Sequence, residues 1–64
     1  MMDNKTARKE VKLLKALEGV SYSEFADMVG ISKNSIYCWL NQQFELGVDR
    51  LKVVEEVIAD WKGE

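Results

Sequence analysis

The chain has 64 residues, of which 47% are hydrophobic and 31% charged, with a net charge of −2 and a pI near 5.1. This composition describes one small folded domain and excludes a disordered chain, whose low hydrophobicity would not offset the entropy of ordering. With a single cysteine, Cys38, and no histidine, the chain has neither a disulfide framework nor the four ligands of a His/Cys zinc cage.

The inventory of reactive residues does not favour catalysis. There is no His general base, no Gly-rich phosphate loop and no Ser/His or Cys/His pair. We therefore expect no enzymatic activity, no cofactor, no metal and no small-molecule substrate. No apolar stretch approaches the roughly 20 residues that span a bilayer, and the N-terminal segment lacks the apolar core of a secretory signal. We expect no membrane partner and a cytoplasmic location.

The first predicted helix covers residues 5 to 18 and ends near Gly19. Its apolar residues Val11, Leu14 and Leu17 recur at helical spacing, which places them toward the core. Five cations share an arc of roughly 120° on the opposite side. They are Lys5, Arg8, Lys9, Lys12 and Lys15. We interpret this stripe as a solvated face, with a phosphate contact from its N-terminal end as the alternative.

Two short helices follow, separated by a turn. Ser21 to Glu24 has the form of a capping box, which predicts a second helix from about Tyr22 to Val29. Gly30 ends it, because glycine readily adopts the left-handed conformation. Ser32 is predicted to cap a third helix, over about residues 32 to 41. The apolar face of this helix consists of Ile36, Trp39 and Leu40.

A fourth helix is predicted after an extended loop, with Asp49 as its cap. Leu51, Val54 and Ile58 form its apolar stripe. Three further residues, Val53, Val57 and Trp61, widen the stripe to about 140°. The extra width fits either ordinary core or a two-fold dimer contact, and we predict a dimer interface at these three residues.

Residues 22 to 41 resemble the helix-turn-helix of the lambda-repressor and Cro family. Ala26 stands at the fifth position, where this family has a small residue at the closest approach of the two helices, and Gly30 stands at the ninth. The remaining packing positions are also apolar: Phe25, Val29, Ile31, Ile36 and Trp39. The resemblance implies an all-α, lambda-repressor-like domain of four to five helices that spans residues 1 to 64 as a single domain.

In this family the second helix of the unit enters the major groove. The resemblance therefore implies that the outward face of helix 3 reads bases. The predicted base-reading residues are Lys33, Asn34, Tyr37, Cys38 and Asn41. Among them, Asn34 suits adenine, Lys33 suits guanine or phosphate, and Cys38 is expected to make an apolar contact. The residues expected to contact phosphates are Ser21, Ser23, Ser32, Gln42 and Gln43.

The function that the resemblance implies is a transcriptional regulator of phage type that binds double-stranded DNA sequence-specifically, as a homodimer on a pseudo-palindromic operator. The acidic pI favours a second hypothesis, a protein-binding helix-turn-helix module such as an antirepressor or a phage adaptor. A third is the DNA-recognition part of a terminase small subunit, for which the chain is short.

Residues 1–15 carry five cations and two anions, whereas residues 53–64 carry one cation and four anions. The negative charge therefore lies toward the C-terminal end, and the low number of cations on the base-reading face predicts a shallow salt dependence.

Overall fold

The computed structural model describes residues 2–63, which contain four α-helices and no strand. These are α1, Asn4–Glu18; α2, Tyr22–Val29; α3, Lys33–Leu40; and α4, Val48–Lys62. The all-α class is confirmed, and the bounds predicted for the first three helices agree with the structure to within one residue. No helix within the described residues is long and apolar enough to cross a membrane.

Helix α1 begins and ends at local signals. The Asp3 carboxylate accepts a hydrogen bond from the amide of Thr6 at 2.8 Å, which caps the helix and lowers the pKa of Asp3. At the other end Gly19 has a φ of 73°, and its amide donates to the carbonyl of Lys15. The predicted end of this helix at Gly19 is therefore confirmed, and the cap by Asp3 is a further finding.

Both helices of the α2–α3 unit begin at a serine cap, and a glycine turn ends α2. The hydroxyls of Ser21 and Ser32 accept from amides three residues ahead, each at 3.1 Å, so both predicted caps are confirmed. Gly30 has a φ of 86°, and its amide and that of Ile31 both donate to the carbonyl of Ala26. The Ile31 bond is the 6→1 bond of a Schellman motif and the Gly30 bond is the 5→1 bond of an αL cap, and together they fix the direction in which α3 departs from α2.

The core lies where the four helices meet. Helix α2 packs against α3 and α4, and α1 packs against α4. The buried side chains come from every helix and from the α1–α2 and α3–α4 connections. They are Ala7, Val11, Leu14, Val20, Phe25, Ala26, Val29, Ile36, Trp39, Leu40, Leu46, Leu51, Val54 and Ile58. The inward positions predicted for Ile36, Trp39 and Leu40 on α3 are thus confirmed.

Two predictions about the helices are wrong. Asp49 does not cap α4: the helix begins at Val48 after Gly47, which makes no side-chain cap, and Asp49 lies in the first turn. A carboxylate there still stabilises the positive end of the helix dipole. Leu17 was expected in the core but is 76% exposed. The buried row of α1 runs through Val11 and Leu14, and Leu17 falls to one side of it.

The wide stripe of α4 packs against the core edge. Val53, Val57 and Trp61 are each half-buried and contact the core cluster. Much of the surplus apolar surface inferred from the sequence is therefore covered within one chain. The dimer contact at these residues stays a prediction.

Candidate nucleic-acid interface

The outward face of α3 carries most of the predicted base-reading residues. Lys33, Asn34, Tyr37 and Asn41 are exposed, whereas Cys38 is half-buried and its thiol is free. Steps of three and four residues bring Asn34, Tyr37 and Asn41 to one side of the helix. The opposite side is fixed in the core by Ile36 and Trp39, each with no measurable exposure.

Tyr37 is held in place by an aromatic contact that the sequence did not suggest. Its ring meets that of Tyr22 edge to face, with centroids 5.7 Å apart, and the Lys15 ammonium lies 5.3 Å from the Tyr22 centroid. Tyr37 nevertheless remains 41% exposed. The contact therefore restricts the ring and leaves part of it available to a ligand.

The predicted phosphate-contacting residues lie at the ends of the two helices. Ser21, Gln42 and Gln43 are exposed, and Ser23 is half-buried. Ser32 is exposed, but its hydroxyl donates to the Ser35 hydroxyl at 2.8 Å while accepting the cap hydrogen bond. Donation from Ser32 to a phosphate would require that proton to turn away from Ser35.

Gln42 occupies an unusual backbone position. Its φ is 63°, so it adopts the left-handed conformation that glycine occupies after α2. The Gln42 amide donates to the carbonyl of Trp39, and the Gln43 amide donates to that of Cys38. Helix α3 thus ends in a Schellman-type turn built on a residue with a long polar side chain.

Arg8 does not belong to the solvated stripe in which the sequence placed it. Its Nε donates to the carbonyl of Trp39 at 2.6 Å, and Nη2 donates to the carbonyl of Phe44 at 2.8 Å and to Glu45 at 3.1 Å. The guanidinium also lies 5.5 Å from the centroid of the Trp39 ring. Only 12% of the side chain is exposed. Arg8 therefore binds the carboxyl end of α3, where a cation complements the helix dipole.

Asn4 joins the same end of α3 to the following loop. Its Oδ1 accepts from the indole of Trp39 and from the amide of Leu46, each at 2.8 Å. Its Nδ2 donates to the carbonyl of Leu46 at 3.1 Å. The polar group of a fully buried tryptophan is thereby satisfied, and α1 is attached to α3 through side chains.

Arg50 has the corresponding role at the carboxyl end of α2. Its Nη1 donates to the carbonyl of Val29 at 3.1 Å and lies 3.5 Å from that of Gly30. Each helix of the α2–α3 unit thus ends against an arginine from another helix. This arrangement holds the outward face of α3 at a fixed angle.

These positioning residues have only an indirect signal in the sequence. Asn4 and Arg8 are one turn apart at the border of the apolar stripe of α1, where long polar side chains often reach a neighbouring element. Which carbonyls they reach depends on contacts between residues 31 to 42 positions apart. Periodicity does not contain that information.

The charge of the molecule is unevenly distributed. Lys5, Lys9, Lys12 and Lys15 are exposed on α1, whereas Glu56 and Asp60 are exposed on α4, which packs against α1 and α2. On α3 itself the one charged side chain is that of Lys33, whereas the exposed carboxylates of Glu24 and Asp27 lie on the neighbouring α2. Among residues 2–63 no group of three His, Cys, Asp or Glu side chains is placed to hold a metal ion.

Comparison with known proteins gave one family. A family model described as a homeodomain-like domain matches residues 3–52, which include α1, the whole α2–α3 unit and the first turn of α4. Searches of curated proteins and of solved structures gave no match. The match agrees with a DNA-binding helix-turn-helix, and the finer resemblance to the lambda-repressor and Cro type stays a prediction.

Proposed function

The chain belongs to the homeodomain-like helix-turn-helix family, and we propose that it is a transcriptional regulator that binds double-stranded DNA sequence-specifically. In this proposal α3 enters the major groove and presents Asn34, Tyr37 and Asn41 to base edges, with Lys33 at its N-terminal end. Occupancy of a promoter is the mechanism of regulation. We also propose that the protein is a regulator of the lambda-repressor and Cro type and that it originates from a phage.

The observation that carries the proposal is the combination of a polar outward face and a fixed inward face on α3. Asn34 and Asn41 are exposed, while Ile36 and Trp39 are fully buried. Arg8 bonds to the Trp39 carbonyl and Asn4 to its indole. A helix that is fixed in this way meets DNA with little entropy left to lose, which favours specific contacts.

Two copies on a pseudo-palindromic site are part of the proposal. The α3 helix has eight residues, so one copy of the protein makes few base contacts. The helix carries one cation, Lys33, so one copy also has limited affinity for DNA. A symmetric pair doubles the contacts, with half-sites about one helical turn apart. Val53, Val57 and Trp61 remain the proposed dimer contact, through the parts of their side chains that the core leaves uncovered.

Selection from a pool of randomised duplexes tests the proposal. At low salt we expect a recurring motif, arranged as two inverted half-sites if the dimer is correct. Recovery of one unsymmetrical half-site would contradict the dimer, and recovery of no motif at all would contradict sequence-specific binding. The salt concentration is stated with each affinity, because each phosphate contact makes the affinity for DNA depend on salt.

A protein-binding module is the second candidate, and exposed leucines favour it. Leu17 and Leu13 lie beside a groove of about 220 Å³ that Glu10, Glu18 and Lys62 also line. Apolar side chains rimmed by charges are typical of protein contact sites. An antirepressor or phage adaptor would use such a surface. The duplex selection separates the candidates, because this module yields no DNA motif.

In both candidates the protein acts by binding, and we propose that it has no catalytic activity. A cytoplasmic location also belongs to the proposal, since the regulator must meet the DNA that it controls. The free Cys38 thiol is compatible with such a reducing compartment.

A further inference from the structure

We propose that a groove beside the end of α3 binds the phosphate backbone of one DNA strand. This basic groove is lined by Lys5, Arg8, Lys9, Lys12 and Gln42 and has a volume of about 470 Å³. The inference rests on the proposed function, since it takes duplex DNA as the partner. It adds to that function a binding surface outside the α2–α3 unit, with a chemistry that does not depend on base sequence.

The groove has a fixed floor. The Arg8 guanidinium donates hydrogen bonds to the carbonyls of Trp39 and Phe44, which hold it in place. It adds a positive charge to the floor of the groove. Asn4 holds the same stretch of α1 to Leu46. The lysines of α1 are therefore kept at a constant distance from the end of α3. A preformed surface of this kind binds a phosphate backbone without first having to order itself.

The lysines of the groove remain available to a ligand. Lys9 and Lys12 are exposed, and the ion pairs within residues 2–63 are Arg8–Glu45 and Lys62–Glu10. Lys5 lies close enough to Asp3 to contribute to the lowered pKa of that carboxyl. Within the groove, Lys9 and Lys12 are therefore free to bind a phosphate, because no carboxylate of the described residues forms an ion pair with either of them.

Gln42 connects the basic groove with the base-reading face. It follows Asn41 directly, and its left-handed backbone places a long amide side chain where glycine would fit with less strain. A strained residue that persists is a pointer to function. Its amide suits donation to a phosphate oxygen, at the position where the lysines of α1 begin.

The groove also lies where a duplex would place phosphates. The major groove is about 12 Å wide, so a helix inside it has a sugar-phosphate strand along each side. Gln42 marks the point where the chain leaves α3, and α1 lies beyond it. The strand that passes the end of α3 would therefore continue over Lys9 and Lys12.

The test measures affinity for a duplex of random sequence by fluorescence anisotropy, over a range of salt concentrations. The variants are Lys9→Gln and Lys12→Gln, with Lys52→Gln as the control. All three variants change the net charge equally, and Lys52 is exposed on α4. Thermal unfolding followed by circular dichroism verifies that each variant folds.

We expect each groove variant to lower the slope of log affinity against log salt by about 1 for each copy bound, and to weaken binding to all duplexes alike. Lys52→Gln should leave the slope close to that of the wild type. Gln42→Gly should relieve the backbone strain, bind every duplex several-fold more weakly and keep the wild-type slope, because it removes a neutral group.

The inference is overturned if Lys9→Gln and Lys12→Gln change the slope no more than Lys52→Gln does. Unchanged affinity of Gln42→Gly would overturn the part assigned to that amide. Failure of the proposed function has a different signature: the duplex selection yields no motif, whereas the lysine variants still alter the slope on random duplex. Such a result supports the basic groove and contradicts base reading by α3.

Discussion

Arg8 has a different role in the structure from the other cations of the α1 stripe. In the sequence it is one of five cations at regular spacing, yet in the structure it is the one bonded to the end of α3. Its hydrogen bonds go to backbone carbonyls, which are fixed partners, and its exposed partner Glu45 is a minor one. The stabilisation therefore comes from the helix end and not from the ion pair.

Replacement of Arg8 by Ala tests this assignment. We expect a loss of about 2 kcal/mol in the free energy of unfolding, because hydrogen bonds from a charged donor and the contact with Trp39 disappear together. Urea unfolding measures the change. Glu45→Gln is the control, expected to cost less than about 0.5 kcal/mol since Glu45 is 71% exposed. Equal effects of the two variants would contradict the assignment.

The α2–α3 unit was the most predictable element, because its signals are local. Ser21, Gly30 and Ser32 act within a few residues of their own positions, and the structure confirms all three. The start of α4 was less predictable, since Gly47 precedes it without a side-chain cap and Asp49 offered a competing signal. Contacts such as that of Asn4 with Leu46 join residues 42 positions apart, which no local pattern indicates.

The exposed side chains of the candidate site could be predicted from the sequence. The residues that hold those side chains in position could not. The helical periodicity of α3 predicted that Asn34 and Tyr37 face outward, and both are exposed. It did not indicate that Tyr37 meets Tyr22, or that Arg50 reaches the end of α2. These supports depend on how whole helices are arranged, so they become visible only in three dimensions.

The turn between α2 and α3 makes its own prediction. Gly30→Ala should lower the free energy of unfolding by about 1–2 kcal/mol, because alanine is strained at a φ of 86°. A Cβ there would lie 3.4 Å from Nη1 of Arg50, which is an ordinary contact, so the loss comes from the backbone conformation. Urea unfolding gives the value.

Two other glycines provide controls for this variant. Gly19→Ala meets the same backbone strain with nothing within 4 Å of the added Cβ, so it should cost about as much as Gly30→Ala. Gly47 has a φ of −72° and open space around it, so alanine fits without strain. Alanine is a poorer N-cap than glycine but also reduces the freedom of the unfolded chain, and because these effects oppose each other Gly47→Ala should change the free energy of unfolding by less than about 0.5 kcal/mol. A larger loss for Gly47→Ala than for Gly30→Ala would contradict this account of the turn.

At the scale of the whole molecule, the arrangement of charge reconciles an acidic chain with a nucleic-acid partner. The exposed lysines of α1 lie on the helix that borders the end of α3, whereas α2 exposes the carboxylates Glu24 and Asp27 and α4 exposes both carboxylates and cations. Net charge influences solubility and long-range steering, and binding depends on the cations that reach phosphates. The molecule is small, with extents of 28 × 23 × 18 Å, so one duplex face can contact both α3 and the basic groove.

The central claim is that the outward face of α3 reads DNA bases, and Asn34→Ala tests it most directly. Wild type, Asn34→Ala and the control Glu56→Ala, an exposed residue of α4, are each used to select duplexes from the same randomised pool. We predict that Asn34→Ala loses preference at one base pair of each half-site, by roughly 1–3 kcal/mol, while Glu56→Ala recovers the wild-type motif. An unchanged motif with Asn34→Ala, at wild-type discrimination, would contradict the claim.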